Sequence, residues 1–346
     1  MRVLFASVFV TSMALTEGFA SRPLHSQRQE RPVASAARSS SDGAVAEASA
    51  ETSPAKSPSS GSGEKKRVVM KFGGSSLADS ERVKEVAALI VQQRREAGVD
   101  PVVVCSAMGS TTNALLAAGD FALGGNVYCD AIRSLHLSTC DELGVSEETR
   151  AEVEGLLEGL AQLLNGVMCL GELSPRSKDL LVSFGERMSV RLVAAQLNLL
   201  GCPASAHDAW DVGFKTAGEF GNAEISTSSY AAVRDTLGAV LEAKECSPGY
   251  AAARAAVHAK EAGGALVPVV TGFLGADDQG RVQTLGRGGS DLTAAFIGAA
   301  MGFDEIQVTP PCRRPSARPV LQAQRRARLK KRRLFAKYRL VCWPPK

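Results

Sequence analysis

The stretch RVVMKFGGSS, from Arg67 to Ser76, holds a run of β-branched and apolar residues of strand length, followed at once by two glycines. Helical periodicity begins a few residues later and continues from about Asp79 to Ala97. A strand, a glycine turn and a helix in this order are typical of the opening of a nucleotide-type α/β unit. We therefore expect the folded part of the chain to begin at Arg67.

Strands and helices alternate along the rest of this region. Apolar runs of strand length begin at Pro101 and Leu266, and a shorter run covers Val282 to Thr284. Helical patterns begin at Asn113 and cover residues 131–164, 178–200 and 291–301. Strands that alternate with helices form parallel sheets covered on both faces. The sequence therefore predicts an α/β fold, a three-layer αβα sandwich with a mainly parallel central sheet.

Charge is distributed unevenly along the 346 residues. The net charge is +4, but residues 306–346 hold 13 of the 40 basic residues and no acid. The preceding 305 residues carry 27 basic and 36 acidic groups, a net charge of −9. An acidic body with a basic tail gives no reason to expect that the whole protein binds nucleic acid. The eight cysteines include no CxxC pair, which favours free thiols over zinc ligands or a disulfide framework.

The first 66 residues have the composition of a targeting leader. Residues 1–20 combine a basic start, an apolar run and a small-residue exit, as a secretory signal does, and a buried element of the fold is the alternative. Residues 21–66 are rich in Ser, Ala, Pro and Arg, and we predict a disordered transit or linker segment. Together they resemble the bipartite leader of proteins imported into secondary plastids. We expect a plastid protein, with secretion as the alternative because the second segment contains several acids.

The glycine turn after the first strand has the chemistry of a phosphate site. Gly73 and Gly74 let backbone N–H groups approach phosphate oxygens, and a helix just beyond them adds its positive end. Lys71 stands before the turn, where it can reach a transferred group. The pattern is neither a P-loop nor a dinucleotide fingerprint, and a tight turn with a solvated lysine explains it equally well.

A second pair of glycines occurs in TLGRGGSD, from Thr284 to Asp291. Here Ser290 and Asp291 follow the glycines at the expected start of a helix, and both could instead be N-caps. Arg287 is harder to explain structurally. Its planar guanidinium is suited to grip a carboxylate through two hydrogen bonds.

The motif SFGERMS, from Ser183 to Ser189, places Glu186 in an otherwise largely apolar helix. Such a glutamate can face solvent or pair with a basic side chain. Alternatively, it is available to bind a cationic group.

Five motifs together resemble the catalytic domain of the aspartokinases, in the same order and spacing. They are KFGGSS, SAMGSTTN from Ser106 to Asn113, GERMS, VTGF from Val270 to Phe273, and TLGRGGSD. Other families of the amino-acid kinase superfamily share the opening Lys-x-Gly-Gly but lack the GERMS and TLGRGGSD pair. The resemblance covers residues 67–308 and implies the amino-acid kinase fold.

The resemblance implies a kinase that transfers the γ-phosphoryl group of ATP to the β-carboxylate of L-aspartate, the first step of lysine, threonine and methionine biosynthesis. Lys71 would stabilise the transferring group and Asp291 would orient Lys71. The phosphates would be bound by Lys71, Gly73, Gly74, Ser75, Gly288 and Gly289. Mg²⁺ would bridge the β- and γ-phosphates, and no metal site made of protein side chains is implied.

The same resemblance implies how aspartate is held. Arg287 would bind its α-carboxylate and Glu186 its ammonium group, with hydrogen bonds from Ser106, Thr112 and Ser290. The attacking carboxylate is ionised at neutral pH, so no general base is needed and the absence of a histidine from the motifs is expected. The four histidines are predicted to be surface or structural residues. A homo-oligomer is implied for the intact family, with no membrane in the mature form and no nucleic-acid partner.

The resemblance stops after Val308. The family continues there into a segment that holds the nucleotide, whereas residues 309–346 form a Pro/Arg-rich basic tail. This change of pattern is expected from a frame shift or a retained intron that removes the C-terminal part of the sheet. A real basic tail and a natural truncation are the alternatives, and a non-catalytic aspartate-binding remnant is the alternative function. Residues 236–264 are interpreted as an insertion relative to the family pattern, and the sequence does not indicate a role for them.

Overall fold

The computed structural model describes residues 66–242, 266–303 and 305–308 of the chain. The expected leader (1–20), all but the last residue of the expected linker (21–66), most of the expected insertion and the basic tail (309–346) lie outside the described residues.

A five-stranded parallel sheet forms the centre of the fold, in the order β3-β6-β2-β1-β9. Its strands are β1 (Lys66–Phe72), β2 (Val99–Cys105), β3 (Ala204–His207), β6 (Val267–Thr271) and β9 (Glu305–Val308). Two short antiparallel ladders, β4 (Thr216–Ala217) with β5 (Glu224–Ile225) and β7 (Leu274–Ala276) with β8 (Val282–Thr284), lie outside this sheet. The helices are α1 (Ser80–Glu96), α2 (Thr111–Leu123), α3 (Asp130–Leu143), α4 (Glu147–Leu170), α5 (Pro175–Leu199), α6 (Ser229–Leu241) and α7 (Gly289–Met301).

Both faces of the sheet are covered by helices, which confirms the predicted fold class. The side chains of β1 alternate between the faces, as a strand requires. Val68, Met70 and Phe72 join the core that α1 to α5 build on one face. Val69 joins a separate core formed with α6 and α7 on the other face. Lys71 shares the side of the strand that Val69 occupies, and it therefore faces α7.

The helical stretch predicted over residues 131–164 is two helices. Gly144 ends α3 in the left-handed conformation, with φ of 65°. Ser146 then caps α4 by accepting a hydrogen bond from the Thr149 N–H. Periodicity alone did not reveal the break, because the connection is only three residues long and both helices bury leucines against the same core. α4 also continues past the predicted end, to Leu170.

Several elements were not predicted from the sequence. β3 reads ASAH and lacks the β-branched residues that mark a strand, and β4 and β5 have two residues each. α6 begins at Ser229 and includes the first six residues of the expected insertion. β1 begins at Lys66, one residue before the expected start, because Lys66 pairs in register with Val99.

α4 is long and apolar enough, by length and composition alone, to cross a membrane. Its apolar face is nevertheless part of the core, since Val153, Leu157, Leu160 and Leu164 are fully or almost fully buried. A core helix of a soluble domain meets the same criteria of length and composition. We attach no membrane role to it.

Candidate active site

The candidate site lies where β1, β2 and β6 end. The carboxyl ends of parallel strands meet at one edge of a sheet, and this edge is where α/β proteins usually bind ligands. Three backbone hydrogen bonds tie the loops together: Ser106 N to Phe72 O (3.0 Å), Gly272 N to Cys105 O (2.8 Å) and Gly109 N to Gly74 O (2.9 Å). The polar side chains at this edge are therefore held on connected backbone.

Lys71 and Asp291 form an ion pair in this site. The distance from Lys71 Nζ to Asp291 Oδ1 is 2.7 Å, with the lysine side chain 12% exposed and the aspartate side chain 56% exposed. The ammonium group is thus directed by a carboxylate on α7, with one side open to solvent. It is not the freely solvated lysine of the alternative interpretation.

Gly73 and Gly74 form the turn next to that ammonium group. A Cβ on Gly73 would lie 3.6 Å from Lys71 Nζ, so the lysine head group rests over this glycine. A Cβ on Gly74 would lie 2.7 Å from Gly109 O and 2.9 Å from Ala107 O, a contact no side chain tolerates. A glycine is therefore required at position 74, because the loop that follows β2 (residues 106–110, the β2 loop) approaches its backbone closely.

The helix expected directly after these glycines is preceded by another element. A 3₁₀ turn over Gly74–Leu77 follows at once, with Ser75 exposed and Ser76 buried. α1 starts only at Ser80, and the Asp79 carboxylate already accepts the Arg82 N–H at 2.9 Å. The short turn, and not α1, therefore presents backbone N–H groups nearest to the glycines.

Two serines join the β2 loop to the start of α7. Ser106 Oγ donates a hydrogen bond to Ser290 Oγ at 3.0 Å. Gly272 makes room for this pair, because a Cβ there would lie 2.6 Å from Ser290 Cβ. The N-cap of α7 is Gly288, with φ of 83°. The alternative that Ser290 or Asp291 caps the helix is therefore wrong.

Phe273 adopts a left-handed backbone conformation, with φ of 70°. Its N–H donates to Thr293 Oγ1 at 3.1 Å, and its carbonyl oxygen accepts from the Leu285 N–H at 2.9 Å. A Cβ on Gly289 would lie 2.7 Å from the Phe273 ring, so the ring packs directly on this glycine. A bulky residue at positive φ costs about 1–3 kcal/mol and is typical of a position that its surroundings fix. Sequence reasoning did not identify this role.

Glu186 is buried in the middle of α5 with 3% exposure. Removal from water raises its pKa to about 8, although the backbone N–H groups of Glu186 and Ala107 favour the charged form. Its Oε2 atom has no hydrogen-bond partner among the described residues. The glutamate neither faces solvent nor forms an ion pair there, so both ordinary interpretations of this residue are wrong. A buried acceptor without a partner is suited to a cationic ligand group.

Arg287 lies in the turn between β8 and α7 and is exposed. Gly286 and Gly288 flank it, both at positive φ (71° and 83°), which sets the backbone direction at the arginine. Arg287 has no ion-pair partner within the part of the chain that the structure describes. Its guanidinium is available to a ligand.

Thr112 stands in the first turn of α2 and is half-buried, whereas its neighbour Thr111 is buried. Thr111 Oγ1 has no hydrogen-bond partner among the described residues. A Cβ on Gly185 would lie 3.4 Å from Thr111 Cγ2, which places this threonine against the residue before Glu186. Thr111 was not singled out from the sequence.

Contacts connect several of the predicted residues. Lys71 pairs with Asp291 and lies over Gly73, and Ser106 bonds to Ser290. Glu186 bonds to the backbone of Ala107, next to Ser106, and Gly74 packs against the same loop. Gly289 precedes Ser290, Gly288 and Arg287 lie in the turn before it, and Ser75 and Thr112 follow Gly74 and Thr111 in the chain. Within residues 66–242, 266–303 and 305–308, no group of three or more His, Cys, Asp or Glu could hold a metal ion.

Two of the four histidines, His136 and His207, are buried. Burial lowers the pKa of His136, and it lowers that of His207 to about 4, so both are neutral at pH 7. His25 and His258 lie outside the described residues. The described cysteines are free thiols, with Cys169 exposed and Cys140 buried.

Comparison with known proteins finds similar sequences among the aspartokinases. Residues 66–309 match the amino acid kinase family. Aspartokinase 2, chloroplastic, of Arabidopsis thaliana is 45% identical over 258 residues, which cover 72% of this chain and 43% of that protein. The aspartokinase of Thermus thermophilus is 31% identical over 241 residues, covering 70% of this chain and 42% of that protein.

A solved structure shares the fold. The crystal structure of E. coli aspartokinase III in complex with aspartate and ADP (R-state) superposes with a TM-score of 0.55 at 30% identity. The superposition covers 70% of this chain and 48% of that one. The chain therefore spans less than half the length of these relatives. The matched region and the shared fold show that the chain belongs to the amino acid kinase family.

Proposed function

We propose that the protein is an aspartate kinase, which transfers the γ-phosphoryl group of ATP to the β-carboxylate of L-aspartate and releases 4-phospho-L-aspartate. The observation that carries the proposal is the buried Glu186 carboxyl, whose Oε2 has no partner among the described residues. It bonds to the backbone of Ala107, in the loop that carries Ser106, and Ser106 in turn bonds to Ser290, the neighbour of Asp291 in the Lys71–Asp291 ion pair. One loop thus links a group suited to a cation with a group suited to phosphate, as an amino-acid kinase requires.

Aspartate binding follows from complementary charge. The ammonium group would take the free Glu186 oxygen, and the exposed Arg287 would bind the α-carboxylate in a bidentate pair. Hydroxyl groups of Ser106, Thr112 and Ser290 would complete the hydrogen bonds. Ser106 already donates to Ser290 at 3.0 Å, which fixes both hydroxyls before substrate arrives. The β-carboxylate is left free to attack, and it is ionised at pH 7 without help from a base.

Phosphoryl transfer depends mainly on positioning and charge. Lys71 would stabilise negative charge on the transferring group, and Asp291, at 2.7 Å, would hold the ammonium group in place. Gly73, Gly74 and Ser75, with Gly288 and Gly289 opposite, would line the phosphate path. The resemblance to the aspartokinase complex with ADP supports a nucleotide as the second ligand.

Mg²⁺ would enter as part of the nucleotide complex. No carboxylate cluster among the described residues is built for a cation, so the phosphate oxygens would supply its ligands. The ion would neutralise charge on those phosphates. Asp291 is the acidic residue at this site with an exposed side chain, and Lys71 already pairs with it.

We also propose a plastid location and a homo-oligomeric state. The chloroplastic relatives and the leader-like composition of residues 1–66 support the first. Imaging of the full chain with a C-terminal fluorescent tag in an algal cell tests it, and a secreted signal would contradict it. Light scattering of the purified protein tests the second.

Lys71→Ala in the full chain tests the catalytic proposal. Hydroxylamine trapping of the acyl phosphate should detect product from the unchanged protein with ATP, Mg²⁺ and L-aspartate, and none above background from the variant. Lys84→Ala is the matched control, because Lys84 pairs with Glu81 on the exposed face of α1. Aspartate binding without any product from the unchanged protein would contradict catalysis and leave a binding protein.

A further inference from the structure

Asp179 is a buried carboxylate that the proposed chemistry does not use. It lies in α5 with 3% exposure, seven residues before Glu186 and therefore two turns away on the same side of the helix. Its Oδ2 accepts hydrogen bonds from the Thr284 N–H and the Gly221 N–H, both at 2.8 Å. Its Oδ1 accepts from Thr284 Oγ1 at 2.9 Å. A single carboxylate thus holds Thr284 by its backbone and its side chain.

Thr284 is the residue from which the Arg287 turn departs. Its carbonyl oxygen accepts from the Ala223 N–H at 2.9 Å, and the next residue, Leu285, donates to Phe273 O at 2.9 Å. At the far end of the turn, Gly289 packs under the Phe273 ring. Both ends of the turn are therefore fixed, while Arg287 between them is exposed.

One rigid helix consequently carries two groups with related tasks. Glu186 is the buried acceptor in the candidate site, and Asp179 fixes the origin of the turn that presents Arg287. An apolar side chain in place of Asp179 could pack against Thr284 but would not fix its position, because apolar contacts are not directional. Two hydrogen bonds from Thr284, one to each oxygen of the carboxylate, by contrast define both the distance and the direction of Thr284 from α5.

We infer that Asp179 is a positioning residue, which holds Arg287 at the spacing from Glu186 that the amino and carboxyl groups of an α-amino acid require. The inference rests on the proposed function, because it assigns the amino-acid ligand to these two groups. Asp179 does not touch the ligand and acts through Thr284. A loss of Asp179 should therefore weaken amino-acid binding and leave nucleotide binding unchanged.

Asp179→Asn in the full chain is the direct test, with L-aspartate and an ATP analogue titrated separately by calorimetry. The amide has one acceptor oxygen and carries no charge, so the Thr284 hydroxyl can keep its bond only by accepting from the amide, and the bonds from the two backbone N–H groups become weaker. We expect aspartate to bind about 10- to 100-fold more weakly, the scale of effect that a small misplacement of a binding group produces. Equal losses for both ligands, or no loss for aspartate, would overturn the inference.

Asp277→Asn is the matched control at the other end of the β7–β8 hairpin. Asp277 accepts from the Gln279 N–H and the Arg281 N–H, both at 2.9 Å, and pairs with Arg281 Nε. The same exchange therefore also weakens two bonds from backbone N–H groups to a carboxylate, at the end of the hairpin away from Thr284. It should lower thermal stability and leave aspartate affinity as it was.

A double-mutant cycle with Arg287→Ala separates positioning from general stability. If Asp179 acts through Arg287, Asp179→Asn should cause no further loss of aspartate affinity when Arg287 is already removed. Additive losses would overturn the inference. If Asp179→Asn does not fold, Thr284→Val replaces it, because that change removes only the Oδ1 bond and should weaken aspartate binding in the same direction.

The two proposals fail in different ways. An unchanged protein that does not bind L-aspartate contradicts the proposed function and the inference together. An unchanged protein that binds L-aspartate, with an Asp179→Asn variant that binds equally well, contradicts the inference alone.

Discussion

Replacement of Glu186 by glutamine should make the protein more stable and abolish aspartate binding. Burial raises the pKa of the Glu186 carboxyl from 4.5 to about 8. The folded state therefore binds more protons than the unfolded state between these values, so stability is lost as pH rises through this window. At about 1.4 kcal/mol per pH unit, the loss is about 3 kcal/mol at pH 7 and at most about 5 kcal/mol at pH 8 and above.

Glutamine has the shape of the protonated acid and cannot ionise, so the variant should keep the stability that the unchanged protein loses. Urea unfolding at pH 5, 7 and 8.5 measures the difference, which should grow with pH. Glu158→Gln on the exposed face of α4 is the control and should show no such growth. Equal unfolding free energies of the Glu186→Gln variant and the unchanged protein at pH 8.5 would refute the reasoning.

The pH dependence of aspartate binding is a second test of the ionisation of Glu186. The ammonium ligand needs the ionised carboxylate, which is the minor form in the free protein below pH 8. The dissociation constant for aspartate should therefore fall about tenfold per pH unit between pH 6 and 7 and level off above pH 8. A dissociation constant that does not change with pH across this range would contradict the assignment of Glu186.

Three further substitutions test the geometry of the site. Gly74→Ala should lower the melting temperature measured by circular dichroism, because its Cβ would lie 2.7 Å from a carbonyl oxygen. Gly272→Ala should lower the melting temperature as well, and it should lower the rate of acyl-phosphate formation by the protein that remains folded, since it displaces Ser290 from Ser106; an unchanged rate would contradict the role of this pair. Asp291→Asn should reduce the rate and leave aspartate affinity nearly unchanged, because it removes the charge that holds Lys71; a large loss of affinity would place Asp291 at the amino acid instead.

The sequence was sufficient for the parts of the fold and site that depend on local pattern. β1, β2 and β6 are apolar runs of strand length, and paired glycines beside Lys71 have a recognisable chemistry. β3 could not be predicted, because ASAH carries no strand signal and becomes a strand only by pairing with β6. Its position is therefore decided by tertiary contacts that local propensity does not contain.

The candidate site shows the same division. An acid on an apolar helix was a visible signal at Glu186, but whether it is buried depends on the β2 loop packed against it. Asp179 lies seven residues before Glu186 on α5, and this spacing could have indicated a second buried acid on the same side of the helix. Its partner Thr284 is 105 residues away, so the contact itself could not be inferred. The positive φ of Phe273 likewise has no signature in a residue type that rarely adopts it.

The alternation of side chains along β1 limits how this protein can change over evolutionary time. Met70 and Phe72 belong to one core while Lys71, between them, faces the other side, and β1 is paired with strands on both of its edges. Insertion or deletion of one residue before Lys71 would turn its ammonium group into the apolar core and move a large apolar side chain to the site. Substitutions can accumulate along this strand, but changes of its length cannot, because the same backbone carries the packing and the chemistry.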